Sequence, residues 1–368
     1  MKKVYLDHHA TSPIDEDVLK AMMPFFNQTF GNPASLHIMG EDAKEAVEHA
    51  REQVAEIINA QADNVFFTNS ATEANNIVLN CFDSILTTNS EHSSIIECIK
   101  HLKKTKHIKA YTLKIEKDGT IDILKLRRLL SSNRPELFSV IFANNEIGTI
   151  HNIYDIGELC AKYKVLLHTD ATQAVGKTDI NVDEMNIFAL TMSGHKIYGP
   201  KGVGALYVRN PNQLDPIIYG GFQNTFSSGT QNVPAIVGIG EACEIMIKNK
   251  SENNRIESLR NYLWEILSSE LDDIFINGTM KNRLPNNLNI TIVGVQAKVL
   301  AMGLDDVIVS GGSACQSGLT KPSHVIRAIK SPHPDCAVRI SLGRFTTEEE
   351  IRYAAKRIIE TVNAIRSK

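Results

Sequence analysis

Four stretches of polar residues, each following a short apolar run, hold the side chains with the clearest capacity for chemistry. They are residues 69–73, 144–146, 170–173 and 193–196. Together they supply a helix start that can bind an anion, an acid, hydrogen-bonding amides and an amine. Singly, each has an ordinary explanation, because Asn and Asp form turns, Ser and Thr cap helices, and a loop lysine usually lies at the surface. Four such sets at one edge of one sheet favour a ligand site.

The amine and the acid match the needs of pyridoxal 5'-phosphate (PLP). A lysine must form a Schiff base with this cofactor, and a carboxylate must pair with its pyridinium nitrogen so that the ring can take up electrons. Lys196 and Asp170 fit these two tasks. His92, which follows another predicted strand, could lie flat on the ring, although an ordinary loop histidine is an equal interpretation when the other residues are left aside.

The phosphate of PLP needs backbone N–H groups at a helix N-terminus together with hydroxyl groups. Ala71 and Thr72 open a predicted helix directly after a strand, and Ser193 and His195 lie beside the lysine. These four residues are therefore the candidate phosphate ligands.

Short apolar runs that alternate with amphipathic runs predict the sheet that positions these residues. The pattern is typical of a mainly parallel α/β sheet flanked by helices, one of them over residues 41–58. The predicted strands are 65–68, 84–88, 138–143, 165–169, 188–192 and 203–208.

The pattern changes after about residue 249. A helix is predicted over 256–271, followed by short strands at 274–276, 288–293, 307–309 and 338–341. The last helix opens with a capping box that starts at Thr347. This region predicts a second, smaller α+β domain.

Composition excludes several function classes. The chain has 368 residues, of which 43% are apolar and 22% charged, and a net charge of −3, so no basic excess suggests direct nucleic-acid binding. Its six cysteines form no CxxC pair, which disfavours a zinc ribbon or a thioredoxin-type motif. No apolar run is long enough to span a membrane, and the first residues do not resemble a signal peptide. We expect a cytoplasmic protein whose thiols stay reduced.

A series of motifs in this sequence resembles the cysteine desulfurases, and among them the group-I, NifS/IscS-like branch. The motifs follow the family's order over nearly the whole chain, and the combination of the lysine motif with Ser-Ala-Cys is highly specific. They are Asp7-His8-His9-Ala10-Thr11, Gly31-Asn32-Pro33-Ala34-Ser35, Ala71-Thr72-Glu73, Asn144-Asn145-Glu146-Ile147-Gly148, Asp170-Ala171-Thr172-Gln173, Ser193-Gly194-His195-Lys196, Ser313-Ala314-Cys315 and Val338-Arg339-Ile340-Ser341.

The resemblance implies the aspartate-aminotransferase-like PLP fold, fold type I, and a homodimer with the active site at the subunit interface. We expect a large PLP-binding α/β domain over residues 15–250. Residues 1–14 and 251–368 would form the small domain that carries Cys315.

The resemblance also assigns roles to residues of this chain. Lys196 would form the Schiff base, Asp170 would pair with the pyridinium nitrogen, and His92 would stack on the ring and transfer protons. The other implied contacts are Gln173 with the ring oxygen, Ala71, Thr72, Ser193 and His195 with the phosphate, Thr230 with the phosphate of the partner subunit, and Asn145 and Arg339 with the substrate carboxylate.

Cys315 is the residue that the resemblance implies as the sulfur carrier. The substrate would be L-cysteine, converted to L-alanine, with the sulfur held on Cys315 as a persulfide and passed to an acceptor protein. Residues 310–318 are small and Gly-rich, which suits a segment that visits the site and then delivers sulfur outward. A buried thiol in a Gly-rich turn is the plain alternative, and roles for Cys98 and Cys336 in a relay stay open.

Two features depart from the family pattern. Residues 220–230 carry Asn224 where the family has an acid, lack its arginine and look one residue shorter, which leaves the Thr230 contact and the local interface open. The chain also ends at Lys368, soon after its last helix, where housekeeping iron–sulfur members often have a longer tail. A specialised acceptor, in tRNA thiolation or DNA phosphorothioation, is therefore an alternative to iron–sulfur assembly.

Other functions are compatible with the same fold. A selenocysteine lyase or another fold-type-I aminotransferase would give different products. A non-catalytic scaffold would not need Lys196, Asp170, His92 and Cys315 together. A thiol sensor acting through Cys315 would not need Lys196.

Overall fold

A seven-stranded sheet forms the centre of the larger part of the molecule, in the spatial order β2-β8-β7-β6-β5-β3-β4. The structure is a computed structural model that describes residues 3–221, 225–311 and 322–367. Six strands of this sheet run parallel, and β8 is antiparallel to both of its neighbours. The strands are β2 (Val65–Thr68), β3 (Ser84–Thr88), β4 (Lys109–Leu113), β5 (Leu137–Ile141), β6 (Leu166–Asp170), β7 (Ala189–Ser193) and β8 (Gly204–Val208).

Helices cover both faces of this sheet, which is why its central strands read as continuous apolar runs. In β8, Ala205 and Tyr207 join one buried cluster, and Leu206 and Val208 join the cluster on the opposite face. The helices of this part are α1 (Glu16–Met22), α2 (Pro24–Asn27), α3 (Ile38–Ile57), α4 (Ala71–Leu79), α5 (Ser93–Thr105), α6 (Ile123–Asn133), α7 (Ile153–Tyr163) and α8 (Val233–Lys248).

Two elements differ from the sequence-based expectation. Strand β4 was not predicted, because it lies at the sheet edge and exposes Lys109 and Thr112, so it lacks a continuous apolar run. Helix α3 begins at Ile38, three residues before the predicted start, because the side chain of His37 caps it by accepting from the Gly40 N–H group. The exposed Ile38 does not belong to the apolar stripe from which the start was predicted.

A separate apolar cluster lies around a three-stranded antiparallel sheet, in the order β12-β10-β9, and a parallel pair, β1 with β11. The pair brings the N-terminal segment beside the C-terminal part of the chain. The elements are β1 (Val4–Tyr5), α9 (Glu252–Glu270), β9 (Ile274–Ile276), β10 (Asn287–Ile292), α10 (Ala297–Gly303), β11 (Val307–Ile308), α11 (His324–Ala328), β12 (Ala337–Ser341) and α12 (Glu348–Arg366).

The last helix starts as the sequence predicted. Thr347 accepts from the Glu350 N–H group, and the Glu350 side chain accepts from the Thr347 N–H group, so the capping box is confirmed. The proposed domain limits, 15–250 against 1–14 with 251–368, stay a prediction. Among the described residues, none of the helices combines the length and the apolar character needed to cross a membrane.

Candidate active site

A cavity of about 210 Å³ opens at the carboxyl edge of the large sheet. This is the edge where ligands of parallel α/β proteins bind. All of the predicted site residues within the described part of the chain, except Thr230, line it. The lining is His9, Ala10, Ser70, Ala71, Thr72, His92, Ile141, Asn145, Asp170, Thr172, Gln173, Ser193, His195, Lys196 and Arg339.

Lys196 ends a short 3₁₀ turn, Gly194–Lys196, that directly follows β7. Its Nζ donates to the carbonyl oxygens of His9 at 2.5 Å and Ala10 at 2.6 Å. The N-terminal segment is itself fastened to this turn, because the hydroxyl of Ser12 donates to the His195 carbonyl at 2.8 Å. Backbone carbonyl groups of the N-terminal segment therefore hold the Lys196 amine in position.

Asp170 is the last residue of β6 and is 4% exposed. Its Oδ2 accepts from Nδ2 of Asn75 at 2.9 Å, and its Oδ1 accepts from the N–H group of Thr172 at 3.1 Å. Each oxygen keeps lone-pair capacity for a further donor, such as a pyridinium N–H group. The buried Thr172 Oγ1 also has no hydrogen-bond partner among the described residues, so the surroundings of Asp170 fit a polar ligand.

The start of α4 forms the anion-binding side of the cavity. Ser70 caps the helix by accepting from the Glu73 N–H group at 3.1 Å. The N–H groups of Ala71 and Thr72 lie in the first turn, where a helix offers no backbone partner, so they fit a phosphate.

His195 faces the same cavity and bonds to Oγ1 of Thr11 at 3.1 Å. Burial, together with the charges of Lys196 and Lys201, lowers the pKa of His195 to about 4. The ring is therefore neutral at physiological pH in the absence of a bound anion, and it acts through hydrogen bonding.

His92 is the N-cap residue of α5 and lines the cavity. Its Nδ1 accepts from the Ser94 N–H group at 3.2 Å. The ring is therefore held by the helix it caps, and its position in the lining is compatible with stacking on a cofactor ring.

Arg339, on β12, is 1% exposed and enters the cavity from the C-terminal part of the chain. Its Nη1 donates to the backbone oxygen of Asn145 at 3.0 Å, and its Nη2 pairs with Oδ1 of Asp7 at 2.7 Å. Its Nε is buried and has no partner within the described chain. A buried cationic donor of this kind fits a carboxylate ligand. Gln173 lines the cavity nearby and donates to the His9 carbonyl at 3.0 Å.

Among the described residues, one predicted site residue lies outside this cavity. Thr230 is exposed and lines a separate cavity of about 120 Å³ with Thr68 and Asn69, so its reach into a partner subunit stays a prediction. Cys315 lies outside the described residues, as does Asn224. The last described stretch before Cys315 is tied to the site, because Ser310 and Arg339 exchange two backbone hydrogen bonds of 3.1 and 2.7 Å.

Sequence reasoning missed several groups that build the site. The carbonyls of His9 and Ala10 have no residue-type signature, because any residue offers a carbonyl. Asn75 had a readable signal, since it is a polar residue on the buried face of α4, between Ala74 and Ile77. Burial raises the pKa of Cys98 to about 11, which disfavours its thiolate and so a part in sulfur relay.

Comparison with known proteins agrees with this geometry. The family model described as "Aminotransferase class-V" matches residues 4–353. Cysteine desulfurase IscS of Dictyoglomus turgidum is 38% identical, covering 99% of this chain and 96% of the relative. The corresponding protein of Haemophilus influenzae is 42% identical, covering 99% and 94%. A solved NifS-like protein superimposes with a TM-score of 0.91 at 32% identity, covering 98% of this chain and 100% of the other.

The chain belongs to the cysteine desulfurases of the class-V aminotransferase family. The NifS/IscS-like resemblance and the fold-type-I architecture are confirmed, and so is the dependence of this desulfurase family on PLP. A structure of SspA in complex with cysteine is also similar to this desulfurase, with a TM-score of 0.81 at 31% identity, covering 94% of this chain and 100% of that one.

Proposed function

We propose that this protein converts L-cysteine to L-alanine and holds the sulfur as a persulfide on Cys315 for delivery to an acceptor protein. The observation that carries the proposal is the convergence of an amine, a buried carboxylate and a buried guanidinium in one cavity: Lys196, Asp170 and Arg339. The SspA neighbour, solved with cysteine, supports cysteine as the substrate.

PLP, held through Lys196, supplies the electron sink that this chemistry needs. Asp170 would pair with its ring nitrogen, and His92 would lie against the ring. The first turn of α4, with Ser193 and His195, would hold the phosphate. Gln173 would approach the ring oxygen after giving up or sharing its bond to the His9 carbonyl.

Arg339 and Asn145 would hold the substrate carboxylate. The fork of Arg339 matches a carboxylate, and its Nε is the buried donor without a partner among the described residues. The bond from Nη1 to the Asn145 carbonyl keeps the two residues together while the carboxylate binds. The amine of Lys196, which lines the same cavity, would serve as the base that takes the α-proton of the substrate.

The sulfur step belongs to Cys315. Its thiolate attacks the sulfur of the bound cysteine, and an S–S bond forms while the Cβ–S bond breaks. The Cβ carbon keeps the electron pair of the broken bond and takes up a proton, so alanine leaves and Cys315 keeps the persulfide.

A homodimer is part of the proposal. A surface formed by α1, α2 and the start of α3 exposes apolar side chains, and Leu36 is 99% exposed. Apolar surface of this kind commonly marks a protein interface. Its members are Leu19, Met23, Phe26, Phe30, Leu36 and Ile38. Sedimentation analysis of the wild type and of Phe30→Asp tests it: a dimer that the variant weakens is expected, and a monomeric wild type contradicts it.

A reducing cytoplasm is the proposed location. Cys81, Cys98, Cys160, Cys243 and Cys336 are all free thiols, as expected where disulfides do not persist. The acceptor protein would belong to iron–sulfur assembly, tRNA thiolation or DNA phosphorothioation. Capture of the protein that receives labelled sulfur from Cys315 would identify it.

The test uses three proteins supplied with PLP. The wild type should bind the cofactor through a linkage that borohydride fixes to Lys196, and it should produce alanine and sulfide in equal amounts from cysteine under reductant. Cys315→Ser should keep the cofactor and release no sulfide, while Cys336→Ser, the matched control, should behave as the wild type. A keto acid as product, or undiminished sulfide from Cys315→Ser, would contradict the proposal.

A further inference from the structure

Asp170 and His92 are linked by a continuous series of hydrogen bonds, buried around Asn75 and part-buried at His92, that passes through two residues outside the proposed chemistry. Nδ2 of Asn75 donates to Oδ2 of Asp170 at 2.9 Å and to Oγ of Ser94 at 2.8 Å. Oγ of Ser94 lies 2.8 Å from Nδ1 of His92. Asn75 is 0% exposed and Ser94 is 9% exposed, so the two bonds that the Asn75 amide donates are shielded from water.

The donor and the acceptor of each hydrogen bond between Asp170 and His92 follow from the groups involved. The amide of Asn75 must turn its NH₂ group to Asp170, because the opposite orientation would set its oxygen against a carboxylate. Both amide hydrogens are then used, and Ser94 Oγ accepts one of them. The single hydroxyl proton of Ser94 is left to donate to Nδ1 of His92.

A second donor points at the same nitrogen of His92. The backbone N–H group of Ser94 donates to Nδ1 at 3.2 Å, as part of the helix cap. A nitrogen that accepts from a backbone N–H group cannot itself carry a proton. The N-terminus of α5 also disfavours a positive charge on the ring. With both donors in place, a neutral imidazole carries its proton on Nε2.

We propose that Asn75 and Ser94 are positioning residues that hold His92 as the neutral Nε2–H tautomer and tie its orientation to that of Asp170. This inference rests on the proposed function, in which Asp170 would pair with the nitrogen of the cofactor ring and His92 would lie against that ring. Nδ1 is occupied at the helix cap, so Nε2 is the nitrogen that can exchange protons in the cavity. One buried amide thereby sets the geometry of the ring's acid partner and of the proton-transferring histidine together.

The experiment combines two measurements on Ser94→Ala, with Ser93→Ala as the matched control in the same helical turn. Nitrogen-15 NMR of ring-labelled histidines, assigned with His92→Gln and recorded with and without PLP, reports which ring nitrogen carries the proton. The wild type and Ser93→Ala should show His92 with a bare Nδ1 and a protonated Nε2. Ser94→Ala keeps the longer bond from the backbone N–H group but loses the 2.8 Å bond from the hydroxyl, so part of its His92 population should carry the proton on Nδ1.

The kinetic readout separates positioning from substrate binding. In Ser94→Ala, kcat for alanine formation should fall about tenfold, a part of the 10²–10⁴ that a positioned acid or base contributes, with KM unchanged. Ser94→Thr restores the hydroxyl and should restore both kcat and the tautomer. In a double-mutant cycle, the effects of Ser94→Ala and Asn75→Ala on kcat should be strongly non-additive, because both variants break the same series of hydrogen bonds.

The outcomes separate this inference from the function on which it rests. A proton on Nδ1 in the wild type, or an unchanged tautomer in Ser94→Ala, overturns the inference, and so does an unchanged kcat in that variant. If the wild type forms no alanine, the proposed function fails, while the NMR measurement still decides the tautomer in the folded protein.

Discussion

Nη2 of Arg339 lies 2.7 Å from Oδ1 of Asp7, so the proposed anchor for the substrate carboxylate is already ion-paired with the N-terminal segment. Arg339 is 1% exposed, and the exposed fraction of the Asp7 side chain is 17%. Asp7 therefore holds one arm of the guanidinium fork while Nε stays available toward the cavity. The N-terminal motif contributes to the site through this bond as well as through the carbonyls that hold Lys196.

Asp7→Asn should weaken cysteine binding without slowing the chemistry. The variant keeps the shape of the side chain but loses the charge that holds the fork, so KM for cysteine should rise about tenfold, or ~1.4 kcal/mol, with kcat unchanged. Glu257→Gln is the matched control, because Glu257 pairs at 2.7 Å with Arg260, another arginine that is 1% exposed. Steady-state kinetics with cysteine decides it, and a KM equal to that of the wild type would show that Asp7 does not orient Arg339.

Glu91 should make the folded state less stable as pH rises from about 4.5 to about 8. It is fully buried, Oγ1 of Thr88 donates to it at 2.6 Å, and burial raises the pKa of its carboxyl to about 8 from an ordinary 4.5. Between these two values the folded chain holds a proton that the unfolded chain has released, so stability falls as pH rises through this window. Glu91→Gln should remove the contribution of this carboxyl to the slope of the free energy of unfolding against pH.

Chemical denaturation of the wild type and Glu91→Gln at several pH values within this window measures the effect. Glu97→Gln, in an exposed ion pair on α5, the helix that begins two residues after Glu91, serves as control and should retain the wild-type slope. Parallel slopes for the wild type and Glu91→Gln would mean that Glu91 is already ionised in the folded protein.

His151 should contribute to instability in acid. It is 4% exposed, neither ring nitrogen has a hydrogen-bond partner in the described part of the chain, and burial lowers its pKa to about 4 from 6.5. As pH falls between these values, His151 is protonated in the unfolded chain but stays neutral in the folded chain. The free energy of unfolding therefore decreases. His151→Leu should flatten this part of the free energy of unfolding against pH, whereas His101→Gln, at an exposed position, should leave it unchanged.

Leu263→Ala tests whether the chain unfolds as two units. Leu263 is fully buried in the cluster around α9, and its truncation should cost about 2–5 kcal/mol. If residues 15–250 form a separate domain, this variant should show an early calorimetric transition that leaves the other transition in place. Leu130→Ala, fully buried in the cluster beneath α6, should lower the other transition instead. A single transition in all three proteins would contradict the domain division.

Much of the site could be predicted because parallel strands place their carboxyl ends at one edge. Asp170 and Lys196 follow neighbouring strands, β6 and β7, so a sequence pattern alone brings them together. The N-terminal contribution could not be predicted from residue types, because Lys196 is held by main-chain oxygens. The same limit applies to the bond between Asn75 and Asp170, which joins residues 95 positions apart.

The paired backbones of Ser310 and Arg339 set a limit on how far sulfur can travel. Cys315 follows Ser310 by five positions, and a fully extended backbone of that length spans at most about 18 Å, to which the persulfide side chain adds its own length. The strand that anchors the substrate carboxylate is therefore also the fixed point from which the persulfide is carried. An acceptor must bring its own receiving atom within that radius of β12, so its docking site has to border the mouth of the cavity rather than a remote face of the enzyme.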